Sequence, residues 1–237
     1  ALVRGVDRRG LIVPPSHFME HMENSGAIRN LDLFVLDSTL AAMERWRRKG
    51  LQLLPISVNF SRFTLFSPSS PGAVLAILSR YPYISSTLLE LEISESALDV
   101  ETGSLIRAMD FFRPFGLSFS LDDFGCRYFN LSLFTSVAFD TIKLDRSLVK
   151  DIITNAMSLE LVEDIIGLCS TRKMSCIAEG VENQAQVDAL LNVGGMYAQG
   201  FYYARPIPMM EFEQNHLIRS ITGKPEMRPA DQKTEGD

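Results

Sequence analysis

The stretch Leu117-Ser118-Phe119-Ser120-Leu121-Asp122-Asp123-Phe124-Gly125 decides the reading of the fold. Leu117, Phe119 and Leu121 alternate with Ser118, Ser120 and Asp122, the period of two that gives a strand one apolar and one polar face. The same parity recurs elsewhere. Ile56 and Val58, with Leu54 before them, alternate with Ser57 and Asn59; Leu89, Leu91 and Ile93 alternate with Glu90 and Glu92. Ile142 and Leu144 alternate with Thr141, Lys143 and Asp145, and Glu179 closes a strand whose same-parity neighbours are Ser175 and Ile177. Each such strand buries its apolar side against helices and turns small polar groups toward an enclosed axis. Each polar file ends in a metal ligand or an ionisable group: Asn59, Glu92, Asp122, Lys143 and Glu179.

Strands are expected near residues 1–6, 53–60, 87–94, 117–123, 138–144, 174–179 and 196–203. Helical periodicity fills 16–24, 30–49, 71–80, 101–114, 156–172, 184–193 and 209–221. Strand and helix alternate almost throughout, which predicts an α/β protein with parallel strands and covering helices, most simply a (β/α)8 TIM-like barrel. In such a barrel the catalytic groups sit at the C-terminal strand ends, where the five polar groups fall. Asp122 and Asp123 are adjacent and should face opposite ways, so both reach one site only if the strand breaks there; Gly125 supplies freedom for that turn.

The chain has 237 residues, of which 46% are hydrophobic and 22% charged. That composition excludes a disordered, collagen-like or disulfide-framed chain. With 29 acidic and 23 basic side chains the net charge is −6, which argues against holding long nucleic acid through its phosphates. Cys126, Cys169 and Cys176 form no CxxC pair and read as reduced thiols of a cytoplasmic protein. No apolar run nears the roughly 18 residues that cross a bilayer. The chain opens without Met, in mid-pattern, and reads as a piece of a longer protein. Residues 1–222 are expected to form one domain and 223–237 a disordered tail.

Several carboxylates gathered at one mouth repel one another unless cations lie between them, and oxygen donors with an Asn favour Mg²⁺ or Mn²⁺ over zinc. Two such ions, clamping the attacking and leaving oxygens, suit in-line phosphoryl displacement. Lys143 fits as an electrostatic stabiliser or an orienter of the attacking water.

These residues resemble the EAL-domain cyclic di-GMP phosphodiesterases. Ala1-Leu2-Val3-Arg4 is similar to the end of the EALxR signature, and Ser57-Val58-Asn59-Phe60-Ser61 to SVNLS. Glu92-Ile93-Ser94-Glu95-Ser96 is similar to EITES, and Asp122-Asp123-Phe124-Gly125 matches DDFG. Lys143-Leu144-Asp145 matches KxD, Ala178-Glu179-Gly180-Val181-Glu182 matches AEGVE, and Gln199-Gly200 matches QG. The resemblance covers residues 1 to about 215. It implies a barrel whose first strand runs antiparallel to the rest, and hydrolysis of one phosphodiester of cyclic di-GMP to linear pGpG with two Mg²⁺ or Mn²⁺ ions. Asn59, Glu92 and Asp122 would hold one ion, with a Glu that would precede Ala1, and Asp122, Asp123 and Glu179 the other. Lys143 would position the water. Glu182 and Gln199 would lie around the metals, Leu2, Arg4 and Gln199 would contact substrate, and Glu95 would brace the loop after Asp123. The resemblance also implies a homodimer through the loop and helix near 126–150, with Phe129, Leu131, Leu133 and Phe134 as interface candidates, and an upstream sensor or GGDEF domain.

The loop departs from the family's DDFGTGYSSL: Cys126-Arg127-Tyr128-Phe129-Asn130-Leu131 follows Gly125 here. That departure keeps a second reading open, an EAL module that binds cyclic di-GMP without hydrolysing it. A different divalent-metal barrel, such as an enolase-type lyase, also uses Asp, Glu and Lys at strand ends. Three other features have plainer readings. His17-Phe18-Met19-Glu20-His21 has the HxxEH order of some zinc peptidases, but without a third ligand it reads as surface histidines on a helix begun by Pro14-Pro15-Ser16. Arg45-Trp46-Arg47-Arg48-Lys49 before Gly50 is what a helix dipole favours in a last turn. Cys126 reads as an incidental thiol, and Phe111, Phe112, Phe115 and Phe119 as core and interface side chains.

Overall fold

A computed structural model describes residues 1–95, 102–126 and 136–218. They form two compact units, one of residues 1–95, 102–120 and 136–138, the other of 121–126 and 139–218. In the first unit a hairpin pairs β1 (Gly5–Val6) antiparallel with β2 (Ile12–Val13). Its turn is built on Asp7, whose carboxylate accepts from the amides of Arg9 and Leu11 at 2.8 Å each, and on Gly10 at φ +81°. This turn chemistry explains why the strand expected at 1–6 shortens to two residues and pairs in a separate sheet. Pro15–His17 forms a single 3₁₀ turn before α1 (Met19–Asn24). His17 and His21 therefore do not share the one continuous helix that a zinc reading needs.

Helix α2 (Ile28–Arg48) buries Ile28, Leu36, Leu40, Met43 and Trp46 along one face. Its basic end is paired within the helix. Glu44 accepts from the Nε atoms of Arg47 and Arg48, each at 2.8 Å, and these guanidiniums hold its carboxyl at about 2. Strand β3 (Ile56–Asn59) follows; α3 (Arg62–Leu65) and α4 (Ser70–Ser79) lead to β4 (Leu89–Ser94). β3 and β4 are parallel, with Val58 opposite Leu91 and Asn59 opposite Glu92. Val58, Leu89, Leu91 and Ile93 are fully buried, as the alternation requires, whereas Leu54 lies before the strand and is exposed. Helix α5 (Thr102–Phe112) precedes β5 (Ser118–Phe124). Phe112 and Phe119 belong to the core, while Phe111 and Phe115 are exposed.

In the second unit β6 (Thr141–Leu144) runs parallel to β7 (Ser175–Ala178), Lys143 opposite Ile177, and β7 parallel to β8 (Tyr197–Ala198). Between them lie α6 (Arg146–Lys150), α7 (Ala156–Thr171) and α8 (Gln184–Asn192), and α9 (Met209–Phe212) follows β8. Asp145 and Asn155 cap α6 and α7 by accepting from amides of the first turn, and Asn183 with Gln186 forms a capping box on α8. Strands β3 to β8 are neighbours in chain order. This is the α/β class with parallel strands, with six strands in the sheet among the described residues. The proposed tail at 223–237 and interface candidates Phe129, Leu131, Leu133 and Phe134 lie outside the described residues. Among the described residues no helix is long and apolar enough to cross a membrane.

Leu91 is wholly buried in β4 between Glu90 and Glu92, and truncation there leaves a cavity as well as losing apolar transfer energy. Leu91→Ala should lower unfolding free energy by about 2–5 kcal/mol in urea titration; a loss below about 1 kcal/mol would show that β4 is not a core strand.

Candidate active site

Two polar constellations stand at strand ends, one in each unit. In the first, the register that sets Asn59 beside Glu92 brings the Asn59 amide to donate to Glu92 Oε2 at 3.3 Å. Glu92 is buried and Asn59 is exposed. The backbone leaves β3 under restraint: Phe60 N donates to Glu92 O at 2.8 Å, and Ser61 N to Asp32 Oδ2 at 2.9 Å. Thr64 Oγ1 donates to the same Asp32 oxygen at 2.5 Å. Asp32, Asn59, Ser61 and Glu92 line a cavity of about 190 Å³. Burial raises the Asp32 carboxyl above its ordinary range, and the bonds from Thr64 and Ser61 only partly oppose that. A larger hollow of about 620 Å³ in the same unit, lined by Phe66, Pro68, Pro71 and Phe111 among others, has no acidic lining residue.

In the second unit Asp122, Asp123 and Glu179 each offer an oxygen, all within 4.8 Å of one another. No break separates Asp122 from Asp123, since β5 continues to Phe124; the expected change of direction takes the form of an irregularity within the strand. Asp123 itself takes a left-handed φ of +56° inside β5, and Gly125 follows at +91° where the turn begins. A non-glycine residue in that region costs about 1–2 kcal/mol, which surrounding structure must offset. Lys143, 5% exposed, sets its Nζ 2.6 Å from Glu179 Oε1 and 3.2 Å from Asp122 Oδ1. Gln199 Nε2 donates to Glu179 Oε1. Backbone bonds carry these side chains together: Glu179 N to Leu144 O at 3.0 Å, Gln199 N to Ala178 O at 2.9 Å, and Asp145 N to Phe124 O at 3.0 Å. Three carboxylates brought this close repel one another, and the all-oxygen donor set fits a hard divalent cation.

The remaining expected site residues belong to both units. Leu2 and Arg4 are exposed at the start of the first unit, with Arg4 Nη1 donating to Val3 O at 2.8 Å. Glu95 is buried just beyond β4; residues 127–130 of the loop it is expected to brace lie outside the described residues. Glu182 sits in the turn after β7, its amide donating to Gln186 Oε1 at 2.8 Å. Cys126 is exposed. Asp32 went unforeseen, although its sequence position carried a signal: a carboxylate four residues after Ile28 and four before Leu36, in phase with the buried face of α2.

The EAL domain family matches residues 1–206, and the chain belongs to that family. Among curated proteins it is 32% identical over 215 residues to cyclic di-GMP phosphodiesterase PdeR of Escherichia coli K12, covering 90% of this chain and 32% of the relative. It is 29% identical over 211 residues to oxygen sensor protein DosP of the same organism, covering 89% of this chain and 26% of the relative. The chain thus spans about a quarter to a third of these relatives. Among solved structures, the phosphodiesterase PaMucR in complex with c-di-GMP superposes with a TM-score of 0.82 at 26% identity, over 90% of this chain and 85% of that one.

Asp32 gives a pH signature with a definite sign. Its folded carboxyl binds protons more tightly than the unfolded one, whose ordinary value is 3.8. Stability tied to Asp32 is therefore fullest below 3.8 and falls as pH rises through the higher folded value. Relative to Asp32→Asn, the wild type should lose stability between pH 3 and 7 in paired urea titrations; a relative gain with rising pH would contradict the assignment.

Proposed function

We propose that this chain hydrolyses one phosphodiester of cyclic di-GMP, releasing linear pGpG, with two Mg²⁺ or Mn²⁺ ions. The observation that carries the proposal is the Asp122, Asp123 and Glu179 cluster with Lys143 bonded to two of its carboxylates. Support comes from the family match and from relatives named as phosphodiesterases of this dinucleotide. Asp122, Asp123 and Glu179 would hold one ion, and Asn59 and Glu92 would offer donors to the other. Bound divalent ions would lower the negative charge that repels a phosphodiester and polarise its oxygens. Lys143 holds Glu179 and Asp122 in place and presents an ammonium to orient the attacking water. Gln199 fixes the Glu179 oxygen that faces Lys143, and Arg4 supplies a cation for a substrate phosphate. The domain works inside a longer cytoplasmic protein, as a homodimer through the segment near 126–150, with its activity set by sensor or GGDEF domains upstream.

Incubating the full-length protein with cyclic di-GMP and saturating Mn²⁺ should yield linear pGpG, and Asp122→Asn should cut turnover at least about a hundredfold. Binding without product would reject hydrolysis and leave the domain a receptor. Turnover unchanged by Asp122→Asn would reject the assigned metal centre.

A further inference from the structure

The turn after β7, residues 179–183, carries Glu179 and Glu182 and is gripped from two sides. Gly180 adopts φ +71°, and a Cβ there would lie 2.4 Å from Arg146 Cβ, so the turn presses directly on the start of α6. Val181 is fully buried; its amide donates to Gln199 O at 3.1 Å, and its carbonyl accepts from Tyr202 N at 3.0 Å. Helix α6 also touches the end of β5. A Cβ on Gly125 would lie 2.5 Å from Leu148 Cδ1, and Asp145 N bonds Phe124 O. A five-residue helix has too few internal bonds to hold its own shape. Its position is set by what it touches.

Gln186 completes this arrangement. It is 4% exposed. Its Oε1 accepts from Glu182 N at 2.8 Å and Asn183 N at 3.3 Å, while Nε2 donates to Val149 O at 3.3 Å and to Lys150 O at 3.5 Å. The amide thus uses two acceptor and two donor positions, its full capacity. Reversing the amide would set oxygen against carbonyls and nitrogen against N–H groups, so its partners fix its orientation. The two carbonyls belong to the C-terminal end of α6, where no further helical turn supplies partners. We infer that Gln186 is a positioning residue for the metal centre, locking the Glu179–Glu182 turn to α6 and, through α6, to the end of β5 that bears Asp122 and Asp123. Its own side chain touches neither carboxylate. The activity part of this inference rests on the phosphodiesterase reading, while the metal-binding part stands apart from it.

Gln186→Leu places an apolar side chain of roughly similar size there and removes all four side-chain bonds; Gln186→Glu restores only the acceptors. Ile165→Ala, in the buried face of α7, weakens the same unit without touching the turn. In metal-free full-length protein, Gln186→Leu should speed hydrogen exchange at the Glu182 and Asn183 amides at least about tenfold. Mn²⁺ binding by calorimetry should weaken about tenfold, as loss of a group supporting metal ligands typically does, and half-saturating Mn²⁺ for turnover should rise in step. Gln186→Glu should fall between wild type and Gln186→Leu in both exchange and metal affinity. Ile165→Ala should lower thermal stability yet keep wild-type metal affinity in the folded fraction. Wild-type Mn²⁺ affinity in Gln186→Leu, or a matching loss in Ile165→Ala, would overturn the inference. If wild type forms no pGpG while Gln186→Leu still loses Mn²⁺ affinity, the phosphodiesterase reading fails and the positioning role stands.

Discussion

The second unit is organised by the mutual repulsion of three carboxylates. Asp122, Asp123 and Glu179 bring oxygens within 4.8 Å of one another, an arrangement that is unfavourable unless cations neutralise it. Lys143 contributes one positive charge at 2.6 Å from Glu179 and 3.2 Å from Asp122. The rest of the local structure serves to keep these groups together. Asp123 accepts a left-handed backbone, Gly125 and Gly180 press against α6, and the backbone amides of Asp145, Glu179 and Gln199 bond to carbonyls at the ends of the neighbouring strands. Such strain persists only where contacts over-determine it, and it is typical of functional sites.

Much of this was legible in the sequence because period-two alternation is a physical consequence of strand geometry. The parity of Ser57-Val58-Asn59 and Leu91-Glu92-Ile93 already set the fully buried Val58, Leu91 and Ile93 apart from Asn59 and Glu92, and the β3–β4 register places Asn59 opposite Glu92. The adjacency of Asp122 and Asp123 pointed to a strand break; β5 instead runs on to Phe124, with the left-handed backbone of Asp123 as the irregularity inside it. What was not legible came from shorter-range or longer-range physics. Helix α6 is too short to show helical periodicity, and β2 exists because the Asp7 and Gly10 turn folds the chain back. Gln186 looks like an ordinary polar residue of a helix start until its bonds to Val149 and Lys150, more than 30 residues away, are seen.

The acidic balance takes on a local meaning. Glu92, Asp122, Asp123 and Glu179 are four of the 29 acidic side chains and stand at strand ends as candidate ligands. Part of the net charge of −6 is thus chemistry suited to divalent cations rather than a repulsive surface. The basic stretch at the end of α2 is likewise occupied locally, since Glu44 engages Arg47 and Arg48. Under the proposed function, this arrangement would suit a small phosphodiester brought to bound cations better than a long polyanion held by arginines.

The central claim is that Asp122, Asp123 and Glu179 form a metal centre. Anomalous diffraction from crystals of the protein equilibrated with Mn²⁺ tests it most directly. A manganese peak within about 2.0–2.5 Å of an oxygen from each of the three carboxylates is the expected result. Full manganese occupancy elsewhere, with none at these carboxylates, would contradict the account.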